Sequence, residues 1–176
     1  MRLDLHLVAN GFYKTRARAQ DAVARGTVIV DGKPAKKSGL MVDENTHIEV
    51  FDPASGYVSR AALKLKTGLE HFGFDPSDKN ALDIGASTGG FTQVLLEEIA
   101  THVTAIDVGH DQLHQSLVYD KRVNQIDGLN ARDLNHDHID GREIKVVVSD
   151  VSFISLKLAL PPALSLASHG AFALLL

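Results

Sequence analysis

Ala81-Leu82-Asp83-Ile84-Gly85-Ala86-Ser87-Thr88-Gly89-Gly90-Phe91-Thr92-Gln93-Val94-Leu95-Leu96 is the stretch on which the reading of this 176-residue chain turns. Ala81 to Ile84 is a short apolar run, Gly85 to Gly90 a glycine turn, and Phe91 to Ile99 a helix. Strand, glycine turn and helix start together make a recurrent nucleotide site, because glycines let the backbone approach a ligand and helix-end N–H groups point at it. The loop lacks the Gly-Lys-Ser/Thr of a phosphate-binding P-loop, and Ser87 breaks the GxGxxG dinucleotide pattern. It does match the GxSxG elbow of a serine hydrolase through Gly85, Ser87 and Gly89, with Asp150 and His169 following in the appropriate order. Ser87, however, follows the first strand of its sheet, whereas the elbow lies deeper, and no HGG-type segment precedes it. The hydrolase is the weaker reading.

Outward from the loop, apolar runs recur at Val103 to Ile106, Val123 to Ile126, Val146 to Val148 and Phe172 to Leu176, with helical segments between them. This alternation predicts an α/β fold with a parallel, doubly wound, Rossmann-like sheet that binds its ligand at the carboxyl ends of the strands. Before the first strand, Ser59 can cap an amphipathic helix whose apolar positions are Ala62, Leu65, Leu69 and Phe72. Asp107 ends the second strand, where a carboxylate can accept both hydroxyls of an adenosine ribose. Asp83, just ahead of a loop with no pyrophosphate-matching glycines, fits a ligand that carries a cation there. S-adenosylmethionine, with an ammonium and a sulfonium, meets both demands.

Asp52-Pro53-Ala54-Ser55-Gly56 collects turn formers and divides the chain into residues 1–52, a linker 53–57 and residues 58–176. The charge divides with it. Residues 1–50 hold 8 Lys+Arg against 6 Asp+Glu, net +2, and residues 51–176 hold 10 against 16, net -6. The whole-chain charge of -4 therefore hides a basic N-terminal module. Leu3 and Leu7 imply a helix ending at Asn10-Gly11, Thr15 caps a second helix from Arg16 to Arg25 closed by Gly26, and Asp31-Gly32 turns a hairpin after Val28-Ile29-Val30. Ala19, Ala22 and Val23 form the inner face of the second helix, so Arg16, Arg18 and Arg25 lie elsewhere. The chain has no Cys, which excludes a disulfide scaffold, a thiolate nucleophile and a sulfur-built zinc site, and makes a reducing cytoplasm the expected setting. The start, MRLDLHLVANGF, has no signal-peptide pattern, and no apolar run reaches the roughly 20 residues of a membrane helix. His136-Asp137-His138 lacks further ligands and reads as loop, not metal site.

The string RLDLHLVANGFYKTRARAQDAVARGTVIVDGKPAKKSG resembles the RNA-binding module named after ribosomal small-subunit protein four. That resemblance implies RNA contacts by Arg2, Lys14, Arg16, Arg18, Gln20, Arg25, Lys33 and Lys36, made through backbone charge and shape. Further on, YVSRAALKLKTGLEHFGF, ALDIGASTGGFTQVLL, VTAIDVGHDQL, NARDL and VVVSDVSFISLKLALP resemble, in order, the ribosomal-RNA 2'-O-methyltransferases of the TlyA type (hemolysin A family), whose catalytic domain is FtsJ-like. The resemblance implies S-adenosylmethionine held by Asp83, Gly85, Ser87, Thr88, Gly89, Asp107, Asn130 and Asp150, with Asn130 near the adenine. It also implies ribosomal RNA or ribosomal subunits as partner, with no membrane, and methylation of a ribose, a cytidine's. Of the family's Lys-Asp-Lys-Glu tetrad, Lys64 and Asp150 match, Lys66 being the neighbouring rival for the first place. A ribose hydroxyl is a poor nucleophile, so its attack on a methyl group needs an oriented oxygen and a proton acceptor. A lysine whose pKa is lowered by burial or a neighbouring cation can serve, with Asp150 orienting it. The second Lys and the Glu of the tetrad have no counterpart before Leu176, so the 176 residues are expected to bind RNA but to methylate poorly or not at all. The competing expectation is an RNA-binding protein with an inert methyltransferase fold. A lytic role, carried only by the family's older label, has no apolar or amphipathic segment behind it.

Overall fold

The computed structural model describes residues 1–151 and 155–176; Ser152, Phe153 and Ile154 of the DVSFISL segment lie outside the described residues. The chain packs as two compact units, Met1–Gly56 and Tyr57–Leu176. No helix among the described residues is long and apolar enough to cross a membrane.

The first unit carries helices α1 (Leu3–Ala9) and α2 (Arg16–Ala24) and strands β1 (Val28–Val30), β2 (Lys33–Pro34) and β3 (Ile48–Val50) in the order β2-β1-β3, both pairings antiparallel. The Thr15 hydroxyl accepts from the Arg18 N–H at 3.3 Å and starts α2. Asp31 and Gly32 take φ of 48° and 75°, the left-handed pair that a tight hairpin needs. Leu3, Leu7, Ala19, Ala22, Val23, Val28 and Val30 close the core. The chain beyond β3 is packed in as well. Asp52 is buried, takes both guanidinium N–H groups of Arg25 at 2.9 and 2.7 Å, and accepts the Tyr13 hydroxyl at 2.8 Å. The Arg25 fork, first among the causes, holds the Asp52 carboxyl down to about 2, and burial pushes the Tyr13 phenol up to about 12. Because the folded value lies below the ordinary 3.8, this stabilisation is whole above pH 4 and is lost as pH falls from about 4 to about 2. Melts of the chain at pH 5, 3.5 and 2.5 should show the acid loss, and Asp52→Asn should be the less acid-sensitive protein over that window.

The second unit holds a five-stranded parallel sheet of order β6-β5-β4-β7-β8, made of β4 (Asn80–Ile84), β5 (His102–Ile106), β6 (Val123–Ile126), β7 (Ile144–Ser149) and β8 (Ala167–Leu175). Ala81, Val103, Val146 and Val148 face helices α3 (Ala61–Phe72) and α4 (Gly90–Glu97), while Leu82, Ile84, Ile106, Ile144 and Val147 face α6 (Leu156–Leu166) and the turns after β6. This is the period-two alternation of a sheet covered on both faces, with a bulge between Ile144 and Val146 resetting the register. The short helix α5 (Gln115–Val118) closes the edge near β6.

Two sequence expectations fail here. Phe72 is 56% exposed: it closes α3 on the outside and stacks on Phe74 instead of entering the core. Helix α4 stops at Glu97, not Ile99, because Ala100 donates back to the Leu95 carbonyl and buries itself while Ile99 turns outward at φ 60°.

Candidate active site

The cleft opens at the carboxyl ends of β4, β5 and β7, encloses about 750 Å³, and is lined by Asp83, Gly85, Ser87, Thr88, Asp107, Asn130 and Asp150 among others. Strand order creates it: β5 and β7 flank β4, and their following loops diverge to opposite sides, the switch-point geometry of open α/β sheets. The glycine loop is hung from β5. Gly85 and Ala86 both donate to the Ile106 carbonyl, and the Asp107 carboxylate accepts the Ser87 N–H at 2.7 Å and the Gly109 N–H at 2.8 Å. Asp107 thus holds both walls of the cleft while its two oxygens retain lone pairs.

Asp83 sits behind this loop at 1% exposure, accepting the Thr92 hydroxyl at 2.7 Å. Burial, reinforced by the charges of Asp107 and Asp150, pushes its carboxyl up to about 7. Three carboxylates around one cleft, one of them desolvated, favour a ligand that brings positive charge.

Lys64 projects from α3 and donates to both oxygens of Asp150 at 2.9 Å. Its side chain is 55% exposed, so the burial expected of it is not found; its partner is a carboxylate. Lys66 is committed elsewhere: it donates to the Tyr57 hydroxyl at 3.0 Å and lies over that ring. Gly90 sets the helix in place, since a Cβ there would stand 2.9 Å from the Ser59 Cβ and 3.0 Å from the Ala62 backbone N. The close approach lets the start of α3 rest on the start of α4. The Ser59 hydroxyl accepts the Ala61 N–H at 3.2 Å, but the N-cap of α3 is Arg60 and carries no side-chain cap hydrogen bond, so Ser59 sits one residue ahead of the capping position expected of it.

Not every expected residue faces the cleft. Gly89 does not line it: at φ 94° its missing side chain would strike Leu117 and Leu113, so its glycine serves packing beneath the loop. The Asn130 side chain does line it but spends its Oδ1 on the Arg132 N–H groups. Val108, Gln112, Leu129, Arg132 and Val151 line it without having been singled out, and Ser59, named only as a helix cap, lines it too. Of these, Val108 was detectable, an apolar residue directly after a strand-end acid, and it is 68% exposed. The hydrolase constellation does not assemble. Lys145, at the start of β7, donates to the His169 carbonyl, whereas Ser87 follows the opposite end of the sheet, roughly 15 Å away at about 3.3 Å per residue. His136 and His138 lie in a 3₁₀ turn where the His138 ring accepts the Asn135 N–H.

In the first unit, five of the eight expected RNA-binding side chains are engaged internally. Arg2, Arg16 and Gln20 converge on Asp4, and Arg25 spends its fork on Asp21 and Asp52. Arg18 donates to the Ala54 carbonyl at 3.3 Å. Lys14, Lys33 and Lys36 are exposed.

Comparison with known proteins agrees with this architecture. The FtsJ-like methyltransferase family model matches residues 57–175, and the S4 domain model matches residues 1–48. The 16S/23S rRNA (cytidine-2'-O)-methyltransferase TlyA of Mycobacterium tuberculosis is 43% identical over 171 residues, covering 97% of this chain and 63% of the relative. Hemolysin A of Brachyspira hyodysenteriae is 42% identical, covering 89% of this chain and 65% of its own. A candidate hemolysin of Streptococcus thermophilus superposes with a TM-score of 0.70 at 35% identity, covering 98% of this chain and 64% of that one. The chain thus spans somewhat under two thirds of the length of these relatives. With a parallel switch-point sheet, a carboxylate-lined cleft and a family model covering all of the second unit but its last residue, this chain belongs to the FtsJ-like methyltransferase family and carries an S4 domain ahead of that fold.

Proposed function

We propose that the protein transfers a methyl group from S-adenosylmethionine to the ribose 2'-oxygen of a cytidine in ribosomal RNA, acting in the cytoplasm on ribosomal RNA or ribosomal subunits. The observation that carries this reading is the Lys64–Asp150 pair standing at the mouth of a cleft built around Asp83 and Asp107. S-adenosylmethionine fits that cleft by charge. Asp107 would accept its ribose hydroxyls, the loop Gly85–Thr88 with Asp83 behind it would hold the cationic amino-acid end, and Val108, Leu129 and Asn130 would flank the adenine. When bound, it supplies an electrophilic methyl group on a sulfonium.

The chain's own residues do the rest. An ammonium whose two N–H groups are held by Asp150 keeps a third donor and its charge for the attacking oxygen, which orients that oxygen and stabilises the negative charge it gains as its proton leaves. Asp150 fixes the lysine and gives the proton an acceptor within one hydrogen bond. The acidic cleft would repel a phosphate backbone, so RNA must be held from elsewhere, and the exposed Lys14, Lys33 and Lys36 of the basic first unit supply that hold.

The test is product identity. Unmodified ribosomal RNA is incubated with excess protein and methyl-tritiated S-adenosylmethionine, then digested to nucleosides. Label co-eluting with 2'-O-methylcytidine, accumulating slowly, is the expected result. Label on a base-methylated nucleoside would overturn the reading, and RNA binding with no transfer at any protein excess would favour an inert methyltransferase fold.

A further inference from the structure

Asp4 is fully buried on a face that the preceding reading gives to RNA, where a negative charge by itself weakens phosphate binding. Its two oxygens take five hydrogen bonds: Arg2 Nε at 3.0 Å and the Leu5 N–H at 3.0 Å on one, a second Arg2 nitrogen at 3.1 Å, Arg16 at 3.0 Å and Gln20 at 2.7 Å on the other. The guanidinium of Arg2 also lies flat against Gly39, where a Cβ would stand 3.1 to 3.4 Å from its atoms. Yet both arginines stay half exposed, at 45% and 52%. Arg16 gives Asp4 a single nitrogen and keeps the rest of its fork.

We propose that Asp4 is a positioning residue for RNA binding: it fixes Arg2 and Arg16 at one spacing so that their outward N–H groups form a preset double fork for backbone phosphates. The proposal rests on reading the first unit as the RNA-binding surface. The arrangement trades one unit of charge for order. Free arginine side chains lose rotamer freedom when they grip a phosphate; two already held by a carboxylate have lost it on folding, and a planar fork can give one edge to the carboxylate and another to phosphate. Gln20 and the Leu5 N–H complete the carboxylate's shell, so the site needs no water or ion to satisfy it.

The proposal makes a prediction opposite in sign to plain electrostatics. Asp4→Asn removes a negative charge from the surface, so charge alone predicts tighter RNA binding and a steeper salt dependence. Positioning predicts binding weakened about tenfold, because two side chains must be ordered anew, with the slope of log affinity against log salt shallower by about one. The measurement is fluorescence anisotropy of purified, labelled 16S and 23S ribosomal RNA fragments across a potassium chloride series, well below the variant's melting temperature. Arg16→Lys keeps the charge without the fork and should lose about fivefold; it changes only a half-exposed side chain and folds whether or not Asp4→Asn does. Tighter or unchanged binding by Asp4→Asn, or wild-type binding by Arg16→Lys, overturns the proposal. Lys33→Ala, remote from Asp4 in its hydrogen bonding, reports on the underlying reading: if it weakens binding while the other two do not, RNA binding stands and the positioning role falls. If the unsubstituted chain binds no ribosomal RNA, both fall.

Discussion

Lys64→Ala should slow methyl transfer to ribosomal RNA by about 10²- to 10⁴-fold, the range typical of a lost proton-transfer or charge-stabilising group, while leaving S-adenosylmethionine binding within about twofold. The split follows from placement. Among the described residues Lys64 touches the cleft only through Asp150, so the cofactor contacts proposed for Asp83 and Asp107 survive its removal. Single-turnover assays with protein in excess isolate the chemical step, so that even slow transfer is measurable. Lys66→Ala is the control. Its Nζ is spent on Tyr57, and the transfer rate should stay within about twofold of the parent. Equal losses for the two lysines would mean that the substitutions act by loosening α3, not by removing a group at the ribose.

Asp107→Ala should lower S-adenosylmethionine affinity about 100-fold or more. Two charge-assisted hydrogen bonds to ribose hydroxyls, each worth about 1.5–3 kcal/mol, are lost, and every 1.4 kcal/mol is roughly tenfold. The loss compounds because Asp107 also ties the Ser87 and Gly109 N–H groups, so the glycine loop and the opposite wall are freed together. Asp107→Asn keeps an acceptor for one of those N–H groups and should fall between, at about tenfold. Calorimetry on the three proteins gives the order. An Asn variant that binds like the parent would show that the carboxylate charge is not what the ligand reads.

The sheet and its loop were legible because their signals are local. Asp83 to Gly90 is contiguous, strand spacing is periodic, and Asp107 and Asp150 follow apolar runs whose ends the sequence marks. The Lys64–Asp150 contact spans 86 positions, and its assignment came from a family resemblance; no periodicity connects an α3 lysine to a β7 end. Asp4 was missed for the same physical reason. Its partners lie 2, 12 and 16 positions away, on the extended start and on α2, and a carboxylate in a basic module reads as solvated until its burial is seen. Gly89 shows the opposite error: its place in a glycine motif implied contact with a ligand, whereas its conformation and the leucines beneath it require glycine for packing. Phe72 was assigned to the core on spacing alone, although it is the last residue of α3, where it lies outside and stacks on Phe74.

The most direct test of the central claim, that this acidic cleft is a cofactor site for S-adenosylmethionine, is calorimetric titration of the chain with four adenosine-containing ligands side by side: S-adenosylmethionine, S-adenosylhomocysteine, ATP and NAD. One site that takes the first two and gives no heat with the phosphorylated pair is the predicted result, because Asp83, Asp107 and Asp150 line the cleft and no P-loop or dinucleotide glycine set is present in the sequence. Silence with S-adenosylmethionine, or equal binding of ATP, would contradict it.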